Sequence, residues 1–162
     1  MPAAARVWMR LELKRQDLED SLPIRGIEEE DTAALAELTL AAYQGTIDYE
    51  GETLAEAQAE IEKVFASRYG PLIPEASTVV EEEGRLLAAC FVTLYEERPF
   101  VVFMMTHPEH KGRGLGTQLL QTSIDALLDR GHAELDLVVT DGNTPAQRVY
   151  EKLGFEVVMD DG

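Results

Sequence analysis

Between an apolar run, Phe100 to Thr106, and a stretch whose Leu120, Ile124, Leu127 and Leu128 share a helical face, the chain carries Lys111-Gly112-Arg113-Gly114-Leu115-Gly116. Glycines this dense interrupt both regular structures, so the segment dictates a strand, a tight turn and a helix in immediate succession. The first backbone N–H groups of such a helix have no partner within it, and the positive end of its dipole lies behind them. With no side chains on the glycines, an anion can approach the main chain closely, and a phosphate fits this join. Two common phosphate loops are disfavoured by spacing. No Gly-x-x-x-x-Gly-Lys-Ser/Thr occurs, and a dinucleotide Gly-x-Gly-x-x-Gly would follow an early strand, whereas Gly112, Gly114 and Gly116 alternate and come late.

The rest of the chain supplies a sheet around this join. Val7, Met9, Leu11 and Leu13 alternate with polar neighbours or Trp8, a period of two that predicts a half-buried strand. Leu22 to Ile27 is a second short strand. The acidic cluster Glu28 to Asp31 suits the first turn of a helix continued by Leu35, Leu38 and Ala42. Thr53 and Glu56 form a capping box ahead of a second helix with Leu54, Ala57, Ile61, Val64 and Phe65 as its apolar stripe. Ser77 to Glu82, Arg85 to Tyr95 and Phe100 to Thr106 read as an antiparallel meander, turned at Glu83-Gly84 and at Glu97-Arg98-Pro99. Gly131 closes the helix that follows the glycine segment, and Leu135 to Thr140 is another strand. Thr144 with Gln147 makes a second capping box with Pro145 at the first helical position, Gly154 stops that helix, and Phe155 to Met159 is the last strand. The unit from Phe100 to Thr140 should be a right-handed parallel crossover, which puts the glycine loop at the carboxyl edge of its first strand.

With 162 residues, 45% of them hydrophobic, the chain fits one domain with a sizeable core. The 31 Asp and Glu against 14 Lys and Arg give a net charge of -17, which argues against nucleic acid or an anionic membrane as partner and favours a cationic small molecule or basic peptide. Cys90 is the only cysteine, so no internal disulfide or thiolate metal cluster forms, and its apolar neighbours predict a buried structural thiol. No basic and apolar leader and no apolar stretch of membrane-spanning length is present, so the expectation is a cytoplasmic protein.

Two segments in order carry a sharper signal. Pro108 to Gly116 is similar to the Gln/Arg-x-x-Gly-x-Gly/Ala pyrophosphate loop of the GCN5-related N-acetyltransferase (GNAT) family, with Lys111 at the Gln/Arg position. Asn143 to Phe155 matches that family's Asn-x-x-Ala-x-x-x-Tyr-x-x-x-Gly-Phe. The resemblance implies a mixed α/β fold: a mostly antiparallel sheet with one splayed parallel pair of strands and flanking helices. It divides the chain into an N-terminal extension, residues 1–21, and an N-acetyltransferase domain, residues 22–162. The family's usual seventh strand is absent, so the extra strand near Val7 to Leu13 either fills that place or pairs with another subunit, and a homodimer is a matching expectation.

Position by position, the resemblance implies that the main chain of Met104, Met105 and Thr106 pairs with the pantetheine arm of acetyl-CoA. Lys111, Gly112, Arg113, Gly114, Leu115, Gly116 and Thr117 would hold the pyrophosphate, and Asn143 would touch the cofactor where the parallel strands part. Tyr150 would lie near the sulfur, where a phenol can donate a proton to a departing thiolate, a stronger base than water at neutral pH. Several family members that acetylate peptide amino termini carry a glutamate where this chain has Val138, which counts against that acceptor. Candidate bases are Asp48, Glu50 and Glu52, Glu96, or a water chain. Tyr43, Asp48, Glu50 and Glu52 lie between the first two helices, a set suited to an ammonium group, so the expected acceptor is a small cationic amine or a basic side chain. His107 and His110 offer no evident third metal ligand, so no metal is expected and a phosphate-facing or exposed role is the reading for both. The alternative is a non-catalytic acyl-CoA-binding regulatory module.

Overall fold

The period-two run at the N-terminus forms β1, Arg6–Glu12, with Val7, Met9 and Leu11 buried on one face. In this computed structural model, residues 6–16, 18, 23–44, 51–140 and 142–160 are described. β2 spans Ile24–Gly26, and the acidic cluster follows it. Those acids do not enter the first turn of α1, Thr32–Tyr43; Glu29–Asp31 forms a separate 3-10 turn ahead of it. The reason is local: the Asp31 carboxylate accepts from the Glu28 N–H at 2.9 Å and from Arg25 at 2.8 Å, which closes the turn before the helix begins. α2, Leu54–Phe65, opens with the expected box, Glu56 N–H donating to Thr53 Oγ1 and Thr53 N–H to Glu56 Oε1.

β3, Thr78–Glu82, β4, Arg85–Tyr95, and β5, Arg98–Thr106, form the meander. Its second turn is shorter than expected. Glu96 and Glu97 both take positive φ, 50° and 67°, the twist that joins antiparallel strands with two residues, so Arg98 and Pro99 already pair with Tyr95 and Leu94. After the glycine segment come α3, Leu115–Asp129, β6, Glu134–Thr140, α4, Thr144–Leu153, and β7, Glu156–Asp160. The expected Thr144/Gln147 capping box is not what starts α4. The N-cap is Asn143, whose carbonyl accepts from the Gln147 N–H at 3.1 Å, so Thr144 is already helical and Pro145 sits one position deeper than expected.

The strand order is β2-β3-β4-β5-β6-β1-β7, antiparallel at every neighbour except β5 with β6. β1 therefore lies inside the sheet, between β6 and β7. It pairs with β6 on one side and β7 on the other, so the alternative, in which β1 pairs with another subunit, does not hold.

Two apolar layers cover opposite faces of the sheet. On one, Leu115, Leu119, Leu120, Ile124 and Leu127 of α3 pack with Met9, Val101, Leu135 and Leu137. On the other, Leu35 and Leu38 of α1 and Ile61 and Val64 of α2 pack with Val79, Ala89, Phe91 and Met105. Each fully buried Leu, Ile, Val, Phe or Met among them contributes about 1.5–3 kcal/mol of transfer free energy, which fixes both layers against the sheet. Cys90 lies within the α3 layer, fully buried, and burial pushes its thiol up to about 12. It is the structural thiol expected, remote from thiolate chemistry at neutral pH.

Candidate functional site

The site begins with a defect in the sheet. β5 and β6 pair only at Phe100↔Asp136 and Val101↔Leu137, after which they part. Just past that point the β5 register against β4 slips between Val101 and Phe103, leaving Val102 as a bulge. Met104, Met105 and Thr106 still pair with Cys90, Ala89 and Ala88 along one edge, while the other edge faces the gap beside β6.

The glycine segment closes one end of this gap. Gly112 and Gly114 adopt φ of 87° and 74°, and Gly114 is the N-cap of α3 with no side chain to cap the helix. A Cβ on Gly116 would lie 2.7 Å from the Met104 side chain, so glycine there lets α3 start directly against β5. α4 closes the other side.

Together these elements enclose a cavity of about 310 Å³. Met104, Met105 and Thr106 line it from β5, and Lys111, Gly112, Gly114, Leu115, Gly116 and Thr117 from the loop and the start of α3. Asn143 and Tyr150 line it from the other side, and Tyr43 from the end of α1. The Tyr150 ring is held edge-on to Phe155, with centroids 5.8 Å apart. The residues are of the kind an acyl-CoA needs: a free strand edge for an amide-bearing arm, a glycine-led helix start for a pyrophosphate, and Lys111 as a cation. A larger depression of about 400 Å³ lies against Arg148, Val149, Glu151 and Lys152, but it involves α4 alone and gathers no converging groups.

Arg113 does not line the cavity. Its guanidinium reaches Glu82 at 3.2 Å and the His110 ring at 3.0 Å, turned toward the β3–β4 hairpin. Asp48 and Glu50 lie outside the described residues; Glu52 is half-buried ahead of α2 and does not line the cavity. Glu96 sits in the β4–β5 turn, roughly 20 Å along β5 from Met104, which removes it as a base. Ala42, Ala146 and Val149 also line the cavity, though no binding role was expected of them, and His110, read as phosphate-facing or exposed, lines it as well. The signal for Ala146 was present, since it falls three residues from Asn143 and four from Tyr150 on one helix face.

Glu109 supplies the third metal-type donor that the sequence left unseen: one ligating atom from each of His107, Glu109 and His110 falls within 4.8 Å of the others. Both imidazole Nδ1 atoms are engaged, His107 by the Glu109 N–H at 3.2 Å and His110 by Arg113 at 3.0 Å.

Residues 32–155 match the Acetyltransferase (GNAT) family, a span that holds the bulged strand, the glycine loop and α4. The chain belongs to the GNAT family. Mycothiol acetyltransferase of Clavibacter sepedonicus is 35% identical to this GNAT chain over 75 residues, 46% of the chain and 25% of that relative. The [ribosomal protein bS18]-alanine N-acetyltransferase of Escherichia coli K12 is 32% identical over 107 residues, 66% of the chain and 71% of that relative. Among solved structures, yncA of Salmonella typhimurium, determined with its cofactor acetyl-CoA, superposes with a TM-score of 0.68 at 22% identity, over 86% of this chain and 82% of that one. The GNAT chain spans between 15% and 30% of the length of three mycothiol acetyltransferases it matches. The mixed sheet with one splayed parallel pair is the fold the resemblance implied.

Proposed function

We propose that this protein transfers an acetyl group from acetyl-CoA to a primary amine, a small cationic amine or a basic side chain, by direct attack in a ternary complex. The observation that carries the reading is the single cavity on which the free edge of β5, the glycine-led start of α3, and Asn143 and Tyr150 of the α4 region all converge.

Acetyl-CoA supplies the activated thioester. The main-chain groups of Met104 to Thr106 hold its arm along β5, and N–H groups at Gly114 to Thr117 with Lys111 hold the pyrophosphate. Arg113, paired with Glu82 and His110, adds its positive charge to this loop beside the pyrophosphate. Asn143 orients the cofactor at the mouth of the splay. As the amine nitrogen bonds to the acetyl carbon, the C–S bond breaks and Tyr150 gives its phenolic proton to the sulfur. Main-chain donors along bulged β5 stabilise the oxygen on which charge develops. No residue acts as a covalent carrier, and buried Cys90 is not acylated.

The acceptor approaches past Tyr43, with Asp48, Glu50 and Glu52 supplying negative charge for an ammonium group and a route for the amine proton. The two relatives are named for dissimilar acceptors, so similarity alone selects neither. Val138 stands where several family members that modify peptide amino termini carry a glutamate, which favours other amines. No helix among the described residues is long and apolar enough to cross a membrane. Cytoplasmic residence is part of the same proposal, as is the lack of a nucleic-acid partner, which the net charge of -17 supports. A homodimer, if formed, uses a surface other than the edges of β1; light scattering across the micromolar range tests for one.

Turnover of acetyl-CoA with a panel of cationic, neutral and anionic amines tests the activity. Tyr150→Phe should lower kcat about 100-fold while CoA affinity is retained. Saturable CoA binding without turnover on any amine would instead favour a non-catalytic acyl-CoA-binding regulatory module.

A further inference from the structure

We infer that Asp136 is a positioning residue that sets how far the cleft between β5 and β6 opens, and that β1 exists in this chain partly to hold it. β5 and β6 are joined over two residue pairs, Phe100↔Asp136 and Val101↔Leu137, so they form a lever pinned at one end. Asp136 sits at the pin, with a side chain 2% exposed. Its Oδ1 accepts from Arg10 Nε at 2.8 Å. Its Oδ2 accepts from Trp8 Nε1 at 2.8 Å, from Arg10 Nη2 at 3.0 Å and from Arg98 Nη1 at 3.4 Å.

Those donors come from both strands that flank β6: Arg98 stands on β5, Trp8 and Arg10 on β1. One buried carboxylate thus ties three adjacent strands together at the vertex of the splay. A buried charge is tolerated only where its partners are fixed, which makes the group selective for one arrangement of the strands. The Trp8 ring adds a steric stop, lying edge-on to Phe100 with centroids 5.5 Å apart and 6.2 Å from Tyr95.

The consequence reaches the cavity through α4, which follows β6 in the chain and brings Asn143 and Tyr150 with it. From Asp136 to the end of β6 is roughly 13 Å, so a rotation of about 5° at the vertex moves the start of α4 by about 1 Å. A misplacement of that size can cost up to about 100-fold where several groups must grip one ligand together.

The inference rests on the cavity being the cofactor site, and that is checked first. Wild-type protein should bind CoA by titration calorimetry, and Gly114→Val, which puts a branched residue at φ 74°, should weaken it strongly. Absence of binding, or equal binding by Gly114→Val, defeats that reading. Asp136→Asn removes the charge and turns an amide donor toward guanidinium donors. At a temperature where circular dichroism shows each protein folded, it should raise the CoA Kd and the KM for acetyl-CoA about tenfold, with a smaller effect on the KM for the amine. Leu127→Ala, buried in the α3 layer and not a member of the hydrogen-bonded group on Asp136, is the control for lost stability alone and should keep wild-type CoA affinity. Should Asp136→Asn not fold, Trp8→Phe removes one donor and keeps an aromatic ring, with an expected rise in Kd of about threefold. A folded vertex variant with wild-type CoA affinity, or an equal loss in Leu127→Ala, overturns the role of Asp136 while leaving the cofactor reading intact.

Discussion

Single residues in this chain differ sharply in how much of their role local sequence reveals. Cys90 was legible because Leu86 to Val92 is apolar without interruption, and the structure puts it at full burial with its thiol pushed up to about 12. The folded protein should therefore show no fast reaction with a thiol reagent such as Ellman's at pH 8, and one reactive thiol after denaturation; rapid labelling of the native protein would contradict this burial. Gly114 and Gly116 were legible for a related reason, since positive φ and close helix approach are demands only glycine meets cheaply. Arg113 was not. Its position within the loop suggested a phosphate contact, yet in the structure its guanidinium lies with Glu82 and His110, because the side chain is long enough to reach a neighbouring hairpin that sequence adjacency does not reveal.

At the scale of elements, caps and turns decided where pattern alone was ambiguous. The Thr53/Glu56 box formed as expected, whereas the Thr144/Gln147 pair lost the cap position to Asn143, and the meander turned at Glu96-Glu97. The turn follows from the β4–β5 register, which already pairs Tyr95 with Arg98, whereas the cap is decided locally by the Gln147 N–H bonding to the Asn143 carbonyl. The same scale holds a pH dependence. The Arg25 guanidinium, bonded to the Asp31 carboxylate at 2.8 Å, holds Asp31 below its usual range. Burial works against the charge of Asp136, but the bonds from Arg10 and Trp8 outweigh it and lower that group too. A carboxyl with a depressed folded-state pKa contributes stability that is fully present above the unfolded value of about 3.9 and is lost as pH falls through the folded value. The melting temperature should thus carry no change from these two groups between about pH 7 and 5 and should fall below about pH 4. Asp31→Asn should melt lower at neutral pH and lose less on acidification; parallel curves for the two proteins would count against the assignment.

Over the whole molecule, charge and topology act separately. The net charge of -17 attracts cations over several ångströms without touching the fold, so kcat/KM for a cationic amine should fall about three- to tenfold as ionic strength rises from low to high. A neutral amine should show no such fall. An equal loss for both would assign the effect to cofactor binding. Sequence alone determined what depends on near neighbours: the period of each element, the glycine turn, the acidic balance and the two motif segments that gather at the cavity. It also raised, without deciding, the place of the N-terminal strand. Tertiary structure decided what depends on pairing between distant segments. The insertion of β1 between β6 and β7, the parting of β5 from β6 after two pairs, and the gathering of Trp8, Arg10 and Arg98 on Asp136 all join residues far apart in the chain. Strand order is set by which faces and edges can be buried at once across the whole sheet, and no local window contains that information.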